Sequence, residues 1–213
     1  MQDVSRPKLI PFCQAGEFAC NGAPATAAES SEPSLAERVQ GVRARIHAAE
    51  REAGRCEGAV KLIAVSKTQP ASVVRAAYTC GLRDFGENYL QEALAKQDEL
   101  VDLAICWHFI GPIQSNKTRS IASRFDWVHS VDRLKIAERL SEQRPADMPP
   151  LNLCIQVNVS YEASKGGVSL AELPALAEAV SKLPRLRLRG LMAIPAPEED
   201  VCRQRIPLRV LRE

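Results

Sequence analysis

The sequence predicts an α/β fold in which helices alternate with parallel strands, and a (β/α) barrel of the TIM type is the form that it favours. Apolar segments and amphipathic helical segments alternate along the chain, which is typical of right-handed βαβ units. The strand candidates begin near residues 60, 83, 105, 127 and 151, so a new unit starts every 22 to 24 residues. Because no G-x-G-x-x-G motif follows the first strand, a barrel is favoured over an open, doubly wound dinucleotide-binding sheet.

The elements follow in order from Ser34. Ser34 and Glu37 form a capping box at the start of an amphipathic helix, and Gly54 ends that helix. Two strand candidates, 60–66 and 151–159, are almost continuously apolar, as strands buried on both faces are. The strand candidates are 60–66, 83–87, 104–110, 127–131, 151–159 and 186–194. The helix candidates between them are 70–80, 89–100, 132–143, which Asp132 is expected to cap, and 170–183.

Composition and charge exclude several classes of function. The 213 residues include 28 Lys and Arg against 26 Asp and Glu, a net charge of +2, which argues against a dedicated nucleic-acid binder. No apolar run approaches the roughly 20 residues that a membrane span needs. The seven cysteines are scattered without a C-x-x-C pair, so we expect no metal site and a cytoplasmic protein with reduced thiols.

The chain is expected to contain two regions, 1–33 and 34–213. The first is rich in Ala, Ser, Pro and Gly and has little periodic apolar surface, so we predict a disordered N-terminal extension. The second is predicted to be the barrel domain. Six strands account for its length, whereas eight close a barrel, so we expect a barrel that is incomplete at its C-terminal end. Unpaired sheet edges favour association, and we expect a monomer or a weak dimer.

Lys67 is the strongest candidate for chemistry. In a parallel barrel the active face is built at the C-terminal ends of the strands, and Lys67 directly follows the first strand candidate. Its amine is expected to point into a partly desolvated barrel mouth, where the neutral form is a nucleophile toward aldehydes and ketones. A surface lysine at a strand end is the alternative that the residues leave open.

Seven sequence blocks carry a resemblance to a known family. They are AVSKTQP (64–70), FGENYLQE (85–92), WHFIGPIQSNK (107–117), SVDR (130–133), IQVNVS (155–160), SKGG (164–167) and RGLMAIP (189–195). In this order they resemble the YggS/PROSC-type pyridoxal phosphate homeostasis proteins. The resemblance implies a barrel of PLP fold type III, similar to the N-terminal domain of alanine racemase. It also implies that pyridoxal 5′-phosphate (PLP) is held as a Schiff base on Lys67.

The resemblance suggests further cofactor contacts at Asn88, His108, Asn158, Lys165 and Met192. Asn88 would hydrogen-bond the 3-oxygen of the ring, or instead cap the next helix together with Gln91. His108 lies within an apolar strand and is either a proton donor or a core histidine. Asn158 would need a partner if buried. Lys165 would attract phosphorylated ligands or remain a solvated loop residue, and Met192 would pack against the ring or the core.

Two classes of function remain open. The resemblance implies a protein that carries and buffers PLP for vitamin B6 homeostasis without robust catalysis, with apo-PLP enzymes as recipients. The alternative is an enzyme, either an amino-acid racemase or a Schiff-base aldolase that uses the same lysine. Racemisation requires bases on both faces of the substrate carbanion, and the β-domain that supplies one of them in alanine racemases is not expected here. The family's C-terminal blocks, which supply most of the phosphate cup, do not occur in this sequence, so we expect either a truncated or frameshifted chain or a part of a longer protein.

Overall fold

The computed structural model describes residues 32–160 and 166–213, and Pro33–Glu213 forms one compact unit. In this part of the chain, six parallel strands form one sheet in the sequential order β1 to β6. The strands are β1 (Ala64–Val65), β2 (Asp84–Glu87), β3 (Cys106–Phe109), β4 (Trp127–Val131), β5 (Leu151–Gln156) and β6 (Leu186–Met192). The helices are α1 (Leu35–Glu52), α2 (Ala71–Thr79), α3 (Leu90–Glu99), α4 (Thr118–Arg124), α5 (Leu134–Gln143), α6 (Leu173–Ser181) and α7 (Val201–Arg212).

The order of the strands distinguishes the barrel from the doubly wound sheet. A doubly wound sheet reverses its strand order, whereas here each strand pairs with the next along the chain. Right-handed crossovers in a sequential order place all connecting helices on one side of the sheet, as in a barrel. The predicted (β/α) barrel class is therefore confirmed for the six βα units of the described chain.

The hydrophobic core lies between the strands and this layer of helices. Side chains alternate between the two faces of each strand, and those facing the helices are apolar and buried. Examples from the strands are Phe85, Trp107, Phe109, Val128, Leu153 and Ile155. Helices contribute Val74, Ala93, Ile121, Ile136, Leu140 and Val180. The opposite strand face carries polar and aromatic groups, which line the barrel interior.

The start of the domain follows the predicted capping box. The backbone N–H of Glu37 donates to Ser34 Oγ, and the Glu37 carboxylate accepts from the Ser34 N–H at 2.7 Å. The Arg43 guanidinium then donates to the carbonyl oxygens of Cys80 and Gly81 at the end of α2. Carbonyl groups at the end of a helix have no hydrogen-bond donor within the helix and need one from elsewhere. Arg43 supplies it here and thereby docks α1 onto the first βα unit.

The first strand is shorter and more exposed than the sequence predicts. Only Ala64–Val65 pairs as β1, and Val65 is 54% exposed, so the expectation of a strand buried on both faces is wrong here. The buried carboxylate of Glu50 accepts hydrogen bonds from the N–H groups of Gly58 and Val60. These bonds tie the backbone before β1 to the C-terminal part of α1. The fifth strand does have the predicted buried character.

Two helix starts also differ from expectation. Sequence periodicity does not reveal α4, because its seven residues bury only two apolar side chains, Ile121 and Ala122, beside Thr118. The prediction that Asp132 caps α5 is wrong. The backbone stays extended through Arg133, which occupies the cap position, and the Asp132 carboxylate accepts a hydrogen bond from the Arg133 guanidinium instead.

Membrane crossing requires a long apolar helix. Across residues 32–160 and 166–213, no helix has that combination of length and hydrophobicity.

Gly111 allows the loop after β3 to approach the end of β2. A Cβ atom at this position would lie 2.2 Å from the carbonyl oxygen of Asn88, far inside van der Waals contact.

We therefore expect Gly111→Ala to lower the free energy of unfolding by roughly 2–4 kcal/mol, measured by urea denaturation. Gly41→Ala is the matched control, because its Cβ would meet nothing within 4 Å on exposed α1. That change should stabilise the protein by about 1 kcal/mol. Equal stability of Gly111→Ala and the wild type would contradict the steric interpretation.

Candidate functional site

A cavity of about 620 Å³ opens at the C-terminal ends of the strands. Its volume is in the range of small-molecule sites, roughly 300–1,000 Å³. Four of the predicted site residues, Lys67, Asn88, Asn158 and Met192, line this one cavity. Residues separated by more than 120 positions in the sequence are therefore brought together at the face where barrels carry their chemistry.

The alternation of β1 directs Lys67 into this cavity. Val65 and Lys67 both line it, while Ser66 between them is buried on the opposite face. Val65 pairs with Gly86, and the N–H of Ser66 also donates to the Gly86 carbonyl, so Lys67 and Asn88 follow the paired ends of two adjacent strands. Lys67 itself is solvent-exposed, so the expected partial desolvation of its amine is not present in this structure.

Asn88 does not cap the following helix. Helix α3 begins at Leu90 with Tyr89 in the cap position, so the capping alternative proposed for Asn88 and Gln91 is wrong. The amide of Asn88 instead lies at the cavity wall. Its backbone is held by the close approach of Gly111 described above.

Asn158 and Met192 lie on the far side of the cavity. Met192 ends β6 and pairs with Gln156, and the N–H of Asn158 donates to the carbonyl of Val168 at 2.9 Å. Gly167 has a φ of +124°, and a Cβ there would lie 2.7 Å from the Asn158 nitrogen. The close contact and the backbone conformation both require glycine, which explains the second glycine of the SKGG block. Lys165 of the same block lies outside the described residues, as do residues 1–31 of the predicted extension.

His108 does not line the cavity. It lies deeper in the barrel interior and is 1% exposed. Its Nε2 atom is 3.0 Å from Asp84 Oδ1, and its Nδ1 atom is 2.9 Å from Nε2 of His129. His129 does line the cavity, so His108 reaches the candidate site only through this second histidine.

The hydrogen-bond partners assign the tautomers of the two histidines. A carboxylate only accepts, so His108 carries its proton on Nε2, facing Asp84. Nδ1 of a neutral His108 is then an acceptor, and the Nε2–H of His129 donates to it. His129 therefore bears its unprotonated nitrogen at Nδ1. The two imidazoles also stack on the ring of Trp127. The centroid of the Trp127 ring lies 5.6 Å from that of His108 and 5.7 Å from that of His129.

Burial keeps both imidazoles neutral at pH 7. It lowers the pKa of His108, although the hydrogen bond to Asp84 opposes this shift. Burial, with the charge of a protonated His108, lowers the pKa of His129 to about 4. Burial raises the pKa of Asp84, but hydrogen bonds from His108 and Lys61 outweigh that effect and hold it below its usual value. The pair of neutral histidines thus connects the cavity to a carboxylate that stays ionised.

Asp84, Cys106 and His108 also have ligand atoms within 4.8 Å of one another, as a metal site would need. Burial raises the pKa of the Cys106 thiol to about 12, so the thiol is protonated and the thiolate is the form that binds metals. Asp84 already accepts from Lys61 and His108. These hydrogen bonds account for the cluster without an ion.

Four polar residues that line the cavity, His129, Ser130, Asp132 and Gln156, are not among the predicted cofactor contacts. A signal for His129 was present. Val128 is apolar and faces the helices, and the two-residue alternation of a strand then turns His129 to the barrel interior. Ser130 is buried, and its hydroxyl donates to the carbonyl of Gly111, a contact between neighbouring strand ends that only the folded chain reveals.

The fold and the cavity define a class of protein, the barrels built like the first domain of alanine racemase. Residues 40–206 match the family model described as alanine racemase, N-terminal domain. The pyridoxal phosphate homeostasis protein of Pseudomonas aeruginosa is 65% identical over 179 residues, which are 84% of this chain and 78% of that protein. The protein of the same name from Escherichia coli is 54% identical over 173 residues, 80% of this chain and 74% of that protein.

A solved structure agrees with these relatives. PipY of Synechococcus elongatus, with PLP bound, is 38% identical and superimposes with a TM-score of 0.71 over 84% of this chain and 79% of PipY. The chain belongs to the family of pyridoxal phosphate homeostasis proteins. The resemblance that the sequence blocks indicate is thereby confirmed.

The buried histidines predict how stability depends on pH. Between about pH 6.5 and pH 4 the unfolded chain protonates His129 while the folded chain does not, so the free energy of unfolding should fall as the pH is lowered through this range. His129→Gln keeps a donor to His108 but does not titrate, and it should flatten this part of the profile. Chemical denaturation at a series of pH values measures the effect. An unchanged slope in His129→Gln would contradict the assignment.

Proposed function

We propose that this chain binds PLP through Lys67 and serves in intracellular PLP homeostasis as a carrier rather than as a catalyst. The observation that carries the proposal is the exposed primary amine of Lys67 at a cavity on the C-terminal face of the barrel. A primary amine condenses with an aldehyde to a Schiff base and releases one water molecule. The names of the relatives and the PLP bound in PipY support the same ligand.

The residues of the cavity fit this cofactor. Val65, Ile110 and Met192 present apolar surface that suits an aromatic ring, while the amides of Asn88 and Asn158 offer hydrogen bonds. When bound, the cofactor would supply an electrophilic aldehyde and an electron-withdrawing ring. The chain's own residues would hold and orient it.

Each predicted contact has a proposed role. Lys67 provides the covalent attachment, Asn88 donates to the 3-oxygen of the ring, and Met192 packs against the ring face. Asn158 hydrogen-bonds a polar edge of the cofactor from the opposite side of the cavity. Lys165 attracts the phosphate. His108 acts on the site only by orienting His129.

The carrier is proposed over a racemase because racemisation needs a proton-transferring group on each face of the substrate carbon. Among the residues that the structure describes, one imidazole lies at the cavity, that of His129, and its lowered pKa makes it a weak base. An exposed lysine on an open cavity suits reversible loading and release to apo-PLP enzymes. We place this role in the cytoplasm, since the five cysteines of the described chain are free thiols, as expected for a reducing compartment.

Borohydride trapping tests the attachment site. The protein is incubated with PLP, reduced and digested, and we expect the label on the peptide that contains Lys67. Lys67→Arg should abolish this label, because a guanidinium does not condense under these conditions, while the positive charge remains. Lys135→Arg, at an exposed position on α5, should label like the wild type. Label that stays at wild-type yield in Lys67→Arg would refute the proposal.

Transfer experiments test the carrier role. The loaded protein is mixed with an apo-PLP enzyme, and we expect enzyme activity to appear while the Schiff-base absorption of this protein declines. Incubation of the loaded protein with L-alanine should leave the optical rotation unchanged. Steady loss of optical rotation at catalytic protein concentrations would establish the racemase alternative instead.

A further inference from the structure

A buried ion cluster lies on the helix side of the sheet, directly behind the cavity. It consists of Glu87 at the end of β2 and Glu92 and Lys96 on α3, and we call it the α3 ion cluster. Glu87 is 0% exposed and Lys96 is 4% exposed. The Lys96 ammonium lies 2.8 Å from Glu87 Oε1 and 2.5 Å from Glu92 Oε1. Its third bond, at 2.6 Å, goes to the carbonyl oxygen of Ser66, so all three ammonium donors are used.

The α3 ion cluster binds the backbone on both sides of Lys67. The Ser66 carbonyl, which accepts from Lys96, belongs to the peptide group that precedes Lys67. The N–H of Thr68, which donates to Glu92 Oε1 at 2.5 Å, belongs to the peptide group that follows it. Peptide groups are planar, so a residue moves only through its two backbone dihedral angles. Fixing both neighbouring peptide groups therefore fixes both dihedral angles of Lys67.

A second set of contacts ties the cluster to the strands. The hydroxyl of Ser66 donates to Glu87 Oε1 at 2.6 Å, which couples the end of β1 to the end of β2. Each of these two residues is followed directly by a cavity residue, Lys67 in one case and Asn88 in the other. The same contacts thus control how two adjacent cavity residues leave their strands.

The backbone after Lys67 is strained. Thr68 has a φ of +65°, a conformation that is a genuine outlier for a β-branched residue. Such a conformation persists only where its surroundings hold it, and here the Glu92 carboxylate holds the Thr68 N–H. The hydrogen bond from Lys96 lowers the pKa of Glu92, so this acceptor stays ionised at neutral pH.

We propose that Glu92 and Lys96 are positioning residues for Lys67, and that they hold its backbone so that the amine meets the PLP aldehyde in the cavity. This inference rests on the proposed function of Lys67. A buried ion pair contributes little net stability compared with apolar residues of the same volume, so stability alone does not account for a charged cluster here. The hydrogen bonds of the α3 ion cluster do explain its presence, because three of them join it to Ser66 and Thr68, the two neighbours of Lys67.

Glu92→Ala is the decisive variant. Lys96→Met would leave the Glu87 carboxylate buried without its ammonium partner, which endangers folding, whereas the Glu92 side chain is 30% exposed. Glu92→Ala removes the acceptor of the Thr68 N–H and should slow Schiff-base formation with PLP about ten- to hundredfold. Glu92→Gln keeps a side-chain oxygen that can accept from Thr68 and should restore most of the rate. The rate is measured from the absorption of the Schiff base after mixing.

The matched control on the same helix is Asp98→Ala. Asp98 also forms an ion pair on α3, with Arg124, but contacts neither neighbour of Lys67. The Asp98→Ala protein should therefore form the Schiff base with PLP at the wild-type rate.

Pyridoxine 5′-phosphate separates positioning from a general structural effect. This compound has an alcohol in place of the aldehyde, so its affinity reports the cavity without reaction at Lys67. We expect Glu92→Ala to bind it as the wild type does, in equilibrium dialysis. Equal loss of pyridoxine phosphate binding and of Schiff-base formation would show a damaged cavity and overturn the inference. A wild-type reaction rate in Glu92→Ala would overturn it as well, while absence of any Lys67 label in the wild type would instead refute the proposed function.

Discussion

The alternation of side chains at the ends of β1 and β2 places the cavity on one side of the sheet and a buried ion cluster on the other. Ser66 and Glu87 face the helices, where Lys96 contacts both. Lys67 and Asn88, each one residue further along the chain, therefore face the cavity. A shift of one residue in β2 would turn the Glu87 carboxylate into the cavity, and the same shift in β1 would turn Lys67 away from it. The register of the first strand pair thus determines the site.

Contacts at the level of the backbone hold the other walls of the cavity. Gly111 lies against the Asn88 carbonyl, and Gly167 lies against the Asn158 nitrogen, at distances that no side chain would allow. Such contacts hold the backbone of Asn88 and of Asn158 at the cavity.

Family membership and geometry support the proposed function by independent routes. The relatives are named for PLP homeostasis, and that likeness concerns the whole domain. The geometry concerns single residues, since it brings the lysine of the AVSKTQP block together with Asn88, Asn158 and Met192 at one cavity. His108 is the exception, because it belongs to a chain of hydrogen bonds from Asp84 to His129 within the barrel.

Local periodicity in the sequence was enough to predict the class of fold, the order of the βα units and the place of Lys67 at a strand end. Three features were not predicted: the bounds of β1, the start of α5 and the existence of α4. Contacts of Glu50 and of Arg133 accompany the first two, and α4 is a short segment with few apolar residues. Only the tertiary structure revealed the α3 ion cluster and the role of His129. Both join residues on different elements, and their contacts depend on strand register and helix docking, which single-strand patterns do not encode.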